Sequence, residues 1–293
     1  MSLIGTLTSG VSAMESFEQG LSVIGNNIAN VNTTAFKSGS ASYADSFSNI
    51  LQSSTPAPGT GSGSNTDTVE VGTGVSVSGV STNYGQGSLS STGVASDLAV
   101  SGNGFFIVKD PSDGNTYATR AGNFTIDSGG YLVTTQGYRV QGLTGGTAST
   151  APGTLGDIKL GTPPTGTELQ SYTIDGSGNL TEAYSDGSTA TTNQVLLQNF
   201  QNPSALTSVA GNLYSGMAAA DPTSGSLTLS SAANTAGTNG LGSVQSGALE
   251  LSNVDLTTEF ANLITTQRSF EAGSRLITVS DTILEDIVNL KTR

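Results

Sequence analysis

The side chains in this chain best suited to acid–base chemistry are carboxylates, and those that could be paired share one setting. Asp113, Asp127, Asp175 and Asp186 stand beside Gly or Ser, and Asp110 shares the stretch DPSDGN with Asp113; DSGG and DGSGN hold Asp127 and Asp175. Two carboxylates facing each other across a cleft with aromatic sugar platforms could hydrolyse a glycosidic bond. Aromatic residues make up 6 % of the chain and Trp is absent, and Asp next to Gly is what a turn uses to bond its own backbone. The expectation is turn-forming aspartates and no active site. DPSDGN lacks the remaining acidic ligands and the closing Glu of a calcium loop. SGNGFF, at 101–106, has the paired glycines of a phosphate-cradling loop but no helix after it.

Composition removes most other chemistries. Cys and His are absent, which excludes Cys nucleophiles, His-based triads and zinc sites of thiolate or imidazole. No cofactor is expected. The net charge is −13, from 22 acidic and 9 basic residues, and Lys37 is the one basic residue before Lys109. A nucleic-acid groove has nothing to build on, and an anionic membrane repels the chain. The N-terminus has no basic stretch and no unbroken apolar core, so no cleaved secretory signal is expected; no run of 18 apolar residues suggests membrane insertion.

The elements that would position functional residues fall into three zones. At the N-terminal end Leu7, Met14, Leu21 and Ile28 recur every seven residues, with Ile4 and Val11 completing the seam and Phe17, Ile24 and Val31 on its flank. Ser2 is the expected cap. At the C-terminal end Leu256, Leu263, Phe270, Ile277 and Leu284 keep the same spacing. Ser252 or Asn253 would cap this helix, Asp255 would sit in its first turn, and Lys291 and Arg293 would complement its dipole. Over residues 253–291 it would run for roughly 58 Å. Between the ends the period changes to two, with Val69, Val71, Val75, Val77 and Val80 alternating with polar or Gly residues, then the apolar run FFIV at 105–108 and a series of hairpin signals. FTIDSGGYL (124–132) echoes YTIDGSGNL (172–180), which reads as two hairpins with Gly-rich turns.

The fold class this implies is a mainly β core flanked by N- and C-terminal α-helices that pair as a coiled coil. The expected domains are paired helices over 1–40 and 245–293, a linker over 41–68, a β-rich domain over 69–142 and 172–244, and a short loose insertion over 143–171. Each helix carries more apolar residues than one seam can cover: Phe17, Ile24 and Val31 on the first, Ile264, Leu276, Ile283 and Ile287 on the second. At ~25 cal/mol per Å², leaving these in water forgoes several kcal/mol. The polar positions Gln267, Ser274 and Asp281 weaken a simple two-stranded coil and favour one register. Copies of the chain, joined head to tail into a helical polymer, would cover the remainder. The residues expected to carry self-assembly are Leu7, Val11, Met14, Leu21, Ile24, Asn27, Ile28, Asn30, Val31, Leu256, Leu263, Phe270, Ile277 and Leu284. Asn27 and Asn30 belong to the cluster GNNIANVN (25–32), whose amides would bond neighbouring copies. From the residues alone, a secreted β-rich adhesin or phage-tail-like component and a carbohydrate-active enzyme stay open beside a filament subunit.

Three stretches add a resemblance. NNIANVNTTAFK (26–37), ALELSNVDLTTEFANLITTQRSFEA (248–272) and DLAVSGNGFFIV (97–108) with YATRAGNFTIDSGGYLVTTQGYRVQG (117–142) resemble, in order, the N-terminal signature, C-terminal signature and β core of flagellar rod and hook proteins. FQNPSALTSVAGNLYSG (200–216) and SYADSFS (42–48) are more similar to hook than to distal-rod subunits. In contrast, 143–171 is too short for the outer domain that hook subunits commonly insert, as in a distal-rod subunit, and Ala35 stands where many relatives have Gly. The resemblance implies a hook subunit, with the distal rod as its closest sibling. It would assemble into a tube that serves as a flexible joint passing torque from rod to filament. Implied partners are further copies of itself, flagellar rod, hook-cap and hook–filament junction proteins, and the type III export apparatus. The implied location is the extracellular flagellum, reached without a cleaved signal peptide.

Overall fold

The computed structural model of the 293-residue chain describes residues 3–54, 67–145, 154–161, 166–223, 229 and 231–291. Ser2 and Arg293 lie outside the described residues, as do parts of the expected linker and insertion. The chain is mainly β, with a long helix at each end. It divides into two compact units: residues 1–29, 39–83 and 255–293 form unit 1, and residues 30–38 and 84–254 form unit 2.

Unit 1 contains α1 (Leu3–Ala29), β1 (Gly39–Asp45), β2 (Ser48–Gln52), β3 (Val69–Gly72) and β4 (Val75–Thr82). Antiparallel pairs β1–β4 and β2–β3 make a two-stranded ribbon. Strands therefore occupy residues 39–45 and 48–52, where a linker beginning at 41 is expected: Tyr43 stands opposite Val77, Ile50 opposite Glu70, and Leu51 at the bulge between Ile50 and Gln52. Polar atoms tie the ribbon to α1: Ser16 Oγ donates to the Val75 carbonyl at 3.1 Å, and Ser9 Oγ to the Thr73 carbonyl at 3.0 Å.

Unit 2 begins with β5 (Leu89–Ser91), β6 (Leu98–Ser101), β7 (Phe105–Lys109), β8 (Thr116–Thr119), β9 (Thr125–Ile126), β10 (Leu132–Val133) and β11 (Arg139–Thr144). It continues through β12 (Thr154–Asp157), β13 (Leu169–Ile174), β14 (Asn179–Tyr184), β15 (Thr189–Val195), β16 (Leu197–Gln198), β17 (Thr207–Val209) and β18 (Leu213–Ser215). After the single helical turn α2 (Ser231–Asn234) come β19 (Ser243–Ser246) and β20 (Ala248–Glu250). These last two strands stand where the C-terminal helix is expected to begin, at 245; the long helix in the structure, α3 (Leu256–Lys291), returns the chain to unit 1.

The main sheet runs β13-β14-β15-β11-β7-β8-β18-β17, with every pairing antiparallel. The FFIV run is β7, and its alternate residues serve two cores. Phe106 and Val108 pack with Leu98, Phe124, Val140 and Leu197 on one face; Phe105 and Ile107 pack with Leu143, Phe200 and Tyr214 on the other. A strand covered on both faces reads as continuous apolar sequence, as this one does.

Asp127 and Asp175 explain the echoed nonapeptides. Asp127 Oδ1 accepts from the backbone amides of Gly129 and Tyr131 at 2.8 Å, and Asp175 Oδ1 from Ser177 and Asn179 at 2.9 and 2.8 Å. Gly130 and Gly178 close the two turns at φ +81° and +83°, a left-handed conformation that costs any residue with a Cβ. Their surroundings differ. A Cβ on Gly178 collides with the Val195 carbonyl, whereas at Gly130 the nearest atoms stand 3.8 Å away. Gly130→Ala should cost about 1 kcal/mol from backbone conformation. Gly178→Ala should cost about 1 kcal/mol or more beyond that from the clash. Urea denaturation of both variants checks the order.

Candidate assembly surface

α1 has 27 residues and α3 has 36, and they pack antiparallel within unit 1. Thr6 Oγ1 meets Ser280 Oγ at 3.2 Å near one end of the pair, and Asn27 Nδ2 meets Glu259 Oε1 at 3.1 Å near the other. Both helices advance by the same number of residues between those contacts, so the register does not slip. Small residues close the seam. An added Cβ on Gly10 would sit 3.0 Å from Ile277 Cγ1, and one on Gly273 would sit 3.2 Å from Met14 Cγ. Each seven-residue ladder therefore drops a large side chain onto a glycine of the opposite helix. Spacing arithmetic on large apolar residues cannot find those glycines, and they are the part of the seam that sequence reasoning missed.

Leu7, Met14, Leu21, Ile24 and Ile28 of α1 are half-buried, as are Leu263, Phe270, Ile277 and Leu284 of α3. Val11 and Leu256 stay largely in water, 43 % and 38 % exposed. Asn30 and Val31 fall beyond the end of α1, in a turn that belongs to unit 2. Of the fourteen expected residues, twelve lie in unit 1 and two, Asn30 and Val31, in unit 2.

Asn27 departs from its expected role. Its amide, offered by the sequence to a neighbouring copy, is used inside the chain. Nδ2 donates to the Gly39 carbonyl at 2.8 Å, Oδ1 accepts from the Gly39 amide at 2.9 Å, and the side chain is buried. A flat amide matches both backbone groups of Gly39 at once, which anchors the start of β1 to the last turns of α1. Asn30 Oδ1 accepts from Thr33 Oγ1 at 3.0 Å in the turn that follows. The ribbon also covers part of the α1 flank that was expected to be wet: the Phe17 and Tyr43 rings meet edge to face, centroids 5.9 Å apart.

What stays uncovered lies mainly on α3 and at the ribbon's far end. Phe260, Ile264, Leu276, Val279, Ile283 and Ile287 recur at helical spacing and are exposed by about half. On the ribbon, Phe47, Ile50 and Leu51 are 85 %, 57 % and 66 % exposed. These three lie in the stretch read as linker. Their signal, apolar residues clustered in SFSNIL, is present in the sequence but has no periodicity to mark it.

α3 starts on a side-chain cap. Asp255 Oδ1 accepts from the Thr257 amide at 2.9 Å and Oδ2 from Thr258 Oγ1 at 3.0 Å, so Asp255 itself is the cap expected at Ser252 or Asn253. Those bonds, the Thr257 amide first, hold the Asp255 carboxyl below its ordinary range. Because the folded value is the lower one, the cap's contribution is complete above the ordinary carboxylate pKa and is lost as pH falls through the depressed value.

A groove of about 310 Å³ beside Gly20, Gly39 and Tyr43 contains one carboxylate, Glu259, which is already bonded to Asn27. Among the described residues no group of three or more His, Cys, Asp or Glu could hold a metal ion, and no helix is long and apolar enough to cross a membrane. Long paired helices, wet apolar stripes and carboxylates committed to turns and caps describe a structural protein.

Comparison with known proteins identifies the family. Residues 7–37 match the family described as "Flagella basal body rod protein", residues 99–182 "Flagellar hook protein FlgE/F/G D1 domain", and residues 245–290 "Flagellar basal body rod FlgEFG protein C-terminal". The flagellar basal-body rod protein FlgG of Bacillus subtilis is 39 % identical over 289 residues, covering 99 % of this chain and 100 % of that one. FlgG of Caulobacter vibrioides is 32 % identical over 294 residues, covering 100 % of both. The flagellar hook protein FlgE of Treponema pallidum is 38 % identical over 141 residues, which is 48 % of this chain and 30 % of that one. The chain belongs to the flagellar rod and hook protein family. It is a structural subunit of the flagellar axis and not an enzyme.

Two outcomes test the seam and the cap. Gly273→Val should destabilise the helix pair by about 1–3 kcal/mol through overpacking, whereas Gly25→Ala, where nothing stands within 4 Å, should stabilise α1 by about 1 kcal/mol; thermal melts at 222 nm read both. Asp255→Ala should lower the helical signal near neutral pH and remove the part of its loss that falls below the ordinary carboxylate range. Asp255→Asn should keep most of the signal with that same pH dependence gone.

Proposed function

We propose that this chain is a distal-rod-type subunit rather than a hook subunit, and that it polymerises head to tail into a helical tube. The observation that carries the rod reading is full-length identity: the 39 % match to the Bacillus subtilis rod protein spans both chains, whereas the hook relative shares 30 % of its own length. A local feature of unit 2 supports it. β11 pairs directly with β12, Thr144 opposite Thr154, so the two strands that flank the place where a hook subunit would insert an outer domain are bonded to each other. The hook reading rests on the resemblance of 42–48 and 200–216 and on the partial hook match.

In this reading unit 1 supplies the inner part of the tube. The α1–α3 pair acts as a short antiparallel coiled coil, its heptad residues set against glycines, and the exposed faces of α3 and the ribbon are covered by neighbouring copies. Unit 2 supplies the outer wall. A contact between two different faces that does not close into a ring propagates as a helix. Burying the exposed half of each such Ile or Leu contributes about 1 kcal/mol. The partners are rod and hook proteins of the same axis, and the subunit leaves the cell through the type III export apparatus.

Purified protein should form tubes above a threshold concentration in negative-stain electron microscopy. The double variant Ile264→Asp, Leu276→Asp should keep the β signature of unit 2 while raising that threshold roughly tenfold or more; tubes at the unchanged threshold would remove α3 from the interface. Antibody labelling of isolated hook–basal bodies separates the two readings, since a rod subunit labels the shaft below the hook and a hook subunit labels the curved segment above it.

A further inference from the structure

The chain passes between the two units four times, after Ala29, Ser38, Asn83 and Val254. On the unit 2 side these passages are carried by three segments, 30–38, 84–87 and 250–254, and all three meet at one buried carboxylate. Glu250 Oε1 accepts from Lys37 Nζ at 2.6 Å and from the Gly87 amide at 2.9 Å, and Oε2 faces Arg120 Nη1 at 3.4 Å. The Glu250 carbonyl takes the Ala35 amide at 2.8 Å. Lys37 Nζ also donates to the Gly85 carbonyl at 2.9 Å, and Asn253 bonds both the Ser38 amide and that same carbonyl, at 2.8 and 3.1 Å. The side chains of Lys37 and Glu250 are completely buried, and that of Arg120 is 5 % exposed.

The charge count in this knot is unequal: two cations share one anion. Arg120 has a second, weaker support, its guanidinium standing 5.0 Å over the Phe105 ring, while its Nε has no partner. With Lys37 withdrawn, Glu250 keeps Arg120 and the Gly87 amide. With Glu250 withdrawn, Lys37 and Arg120 would face one buried site with no counter-charge, and a buried charge without a partner is strongly disfavoured. The consequences of losing the two ends of the chain therefore differ.

We infer that Glu250 gates the docking of residues 30–38: the segment leaving α1 can close onto unit 2 only after the segment leading to α3 has delivered the carboxylate that separates Lys37 from Arg120. The N-terminal connector thereby senses whether the C-terminal end of unit 2 is in place. β20, by contrast, docks on β5 without needing Lys37.

Hydrogen exchange of the full chain, read by mass spectrometry, tests this through three variants. Glu250→Gln should speed exchange in 30–38 roughly tenfold or more while β7 and β11 keep their protection. Lys37→Met should leave β20 and β5 within about twofold of the unmodified protein. The double variant Lys37→Met, Glu250→Gln should recover part of the protection that Glu250→Gln loses, because the stranded cation is gone; damage to shape alone would add instead. Unchanged exchange of 30–38 in Glu250→Gln, exposure of β20 in Lys37→Met, or a double variant no better protected than Glu250→Gln would each overturn the inference. Should Glu250→Gln fail to fold, a folded double variant supports the gate and an unfolded one overturns it.

Discussion

In unit 1 two helices from opposite ends of the sequence run side by side, and the closeness of their approach depends on Gly10 and Gly273. A methyl group at either would press on Ile277 or Met14. The rest of the unit is arranged around this closeness. Ser280 and Thr6 bond across the seam because the helices are near enough for hydroxyls to meet, and Asn27 can hold Glu259 and Gly39 together. A looser pair would let the half-buried ladder residues slide, since large apolar side chains alone do not specify a register as narrow cavities do.

The two units treat apolar surface differently. Unit 2 buries it on both faces of β7, and its large side chains Phe106, Phe124, Leu196 and Leu197 are fully covered. Unit 1 combines a two-helix pair with a two-stranded ribbon, and a ribbon of that kind is marginal in water by itself. Its Phe47, Ile50 and Leu51 are exposed, and so is the apolar stripe on α3.

Several carboxylates in this acidic chain hold its structure. Asp127 and Asp175 hold turns, Asp255 holds the start of α3, and Glu250 neutralises buried cations. Glu182 is buried and bonded to the Gly161 amide and the Tyr184 hydroxyl, which raises that phenol to about 12, the hydrogen bond to Glu182 being the main cause. A carboxylate committed to two or three donors has little capacity left for proton transfer, which is consistent with a family that builds an axis and performs no reaction.

Features set by near neighbours were legible in the sequence. The seven-residue ladders marked α1 and α3, the FFIV run marked an apolar strand, and DSGG and DGSGN marked turns that Asp127 and Asp175 do hold, because helical period, strand alternation and turn bonding each act over a few residues. Ordered motifs along the chain marked the family. Tertiary structure decided what depends on residues far apart in the chain: which glycine receives Ile277, that Asn27 is bonded to Gly39 and Glu259, that residues 39–52 are a ribbon, and that Lys37, Arg120 and Glu250 share one buried site. The left-handed conformation of Ala35, φ +56° with its amide on the Glu250 carbonyl, belongs to the second group. Its identity was visible from the start, but the strain it tolerates is set by a partner more than two hundred residues away, which no local pattern encodes.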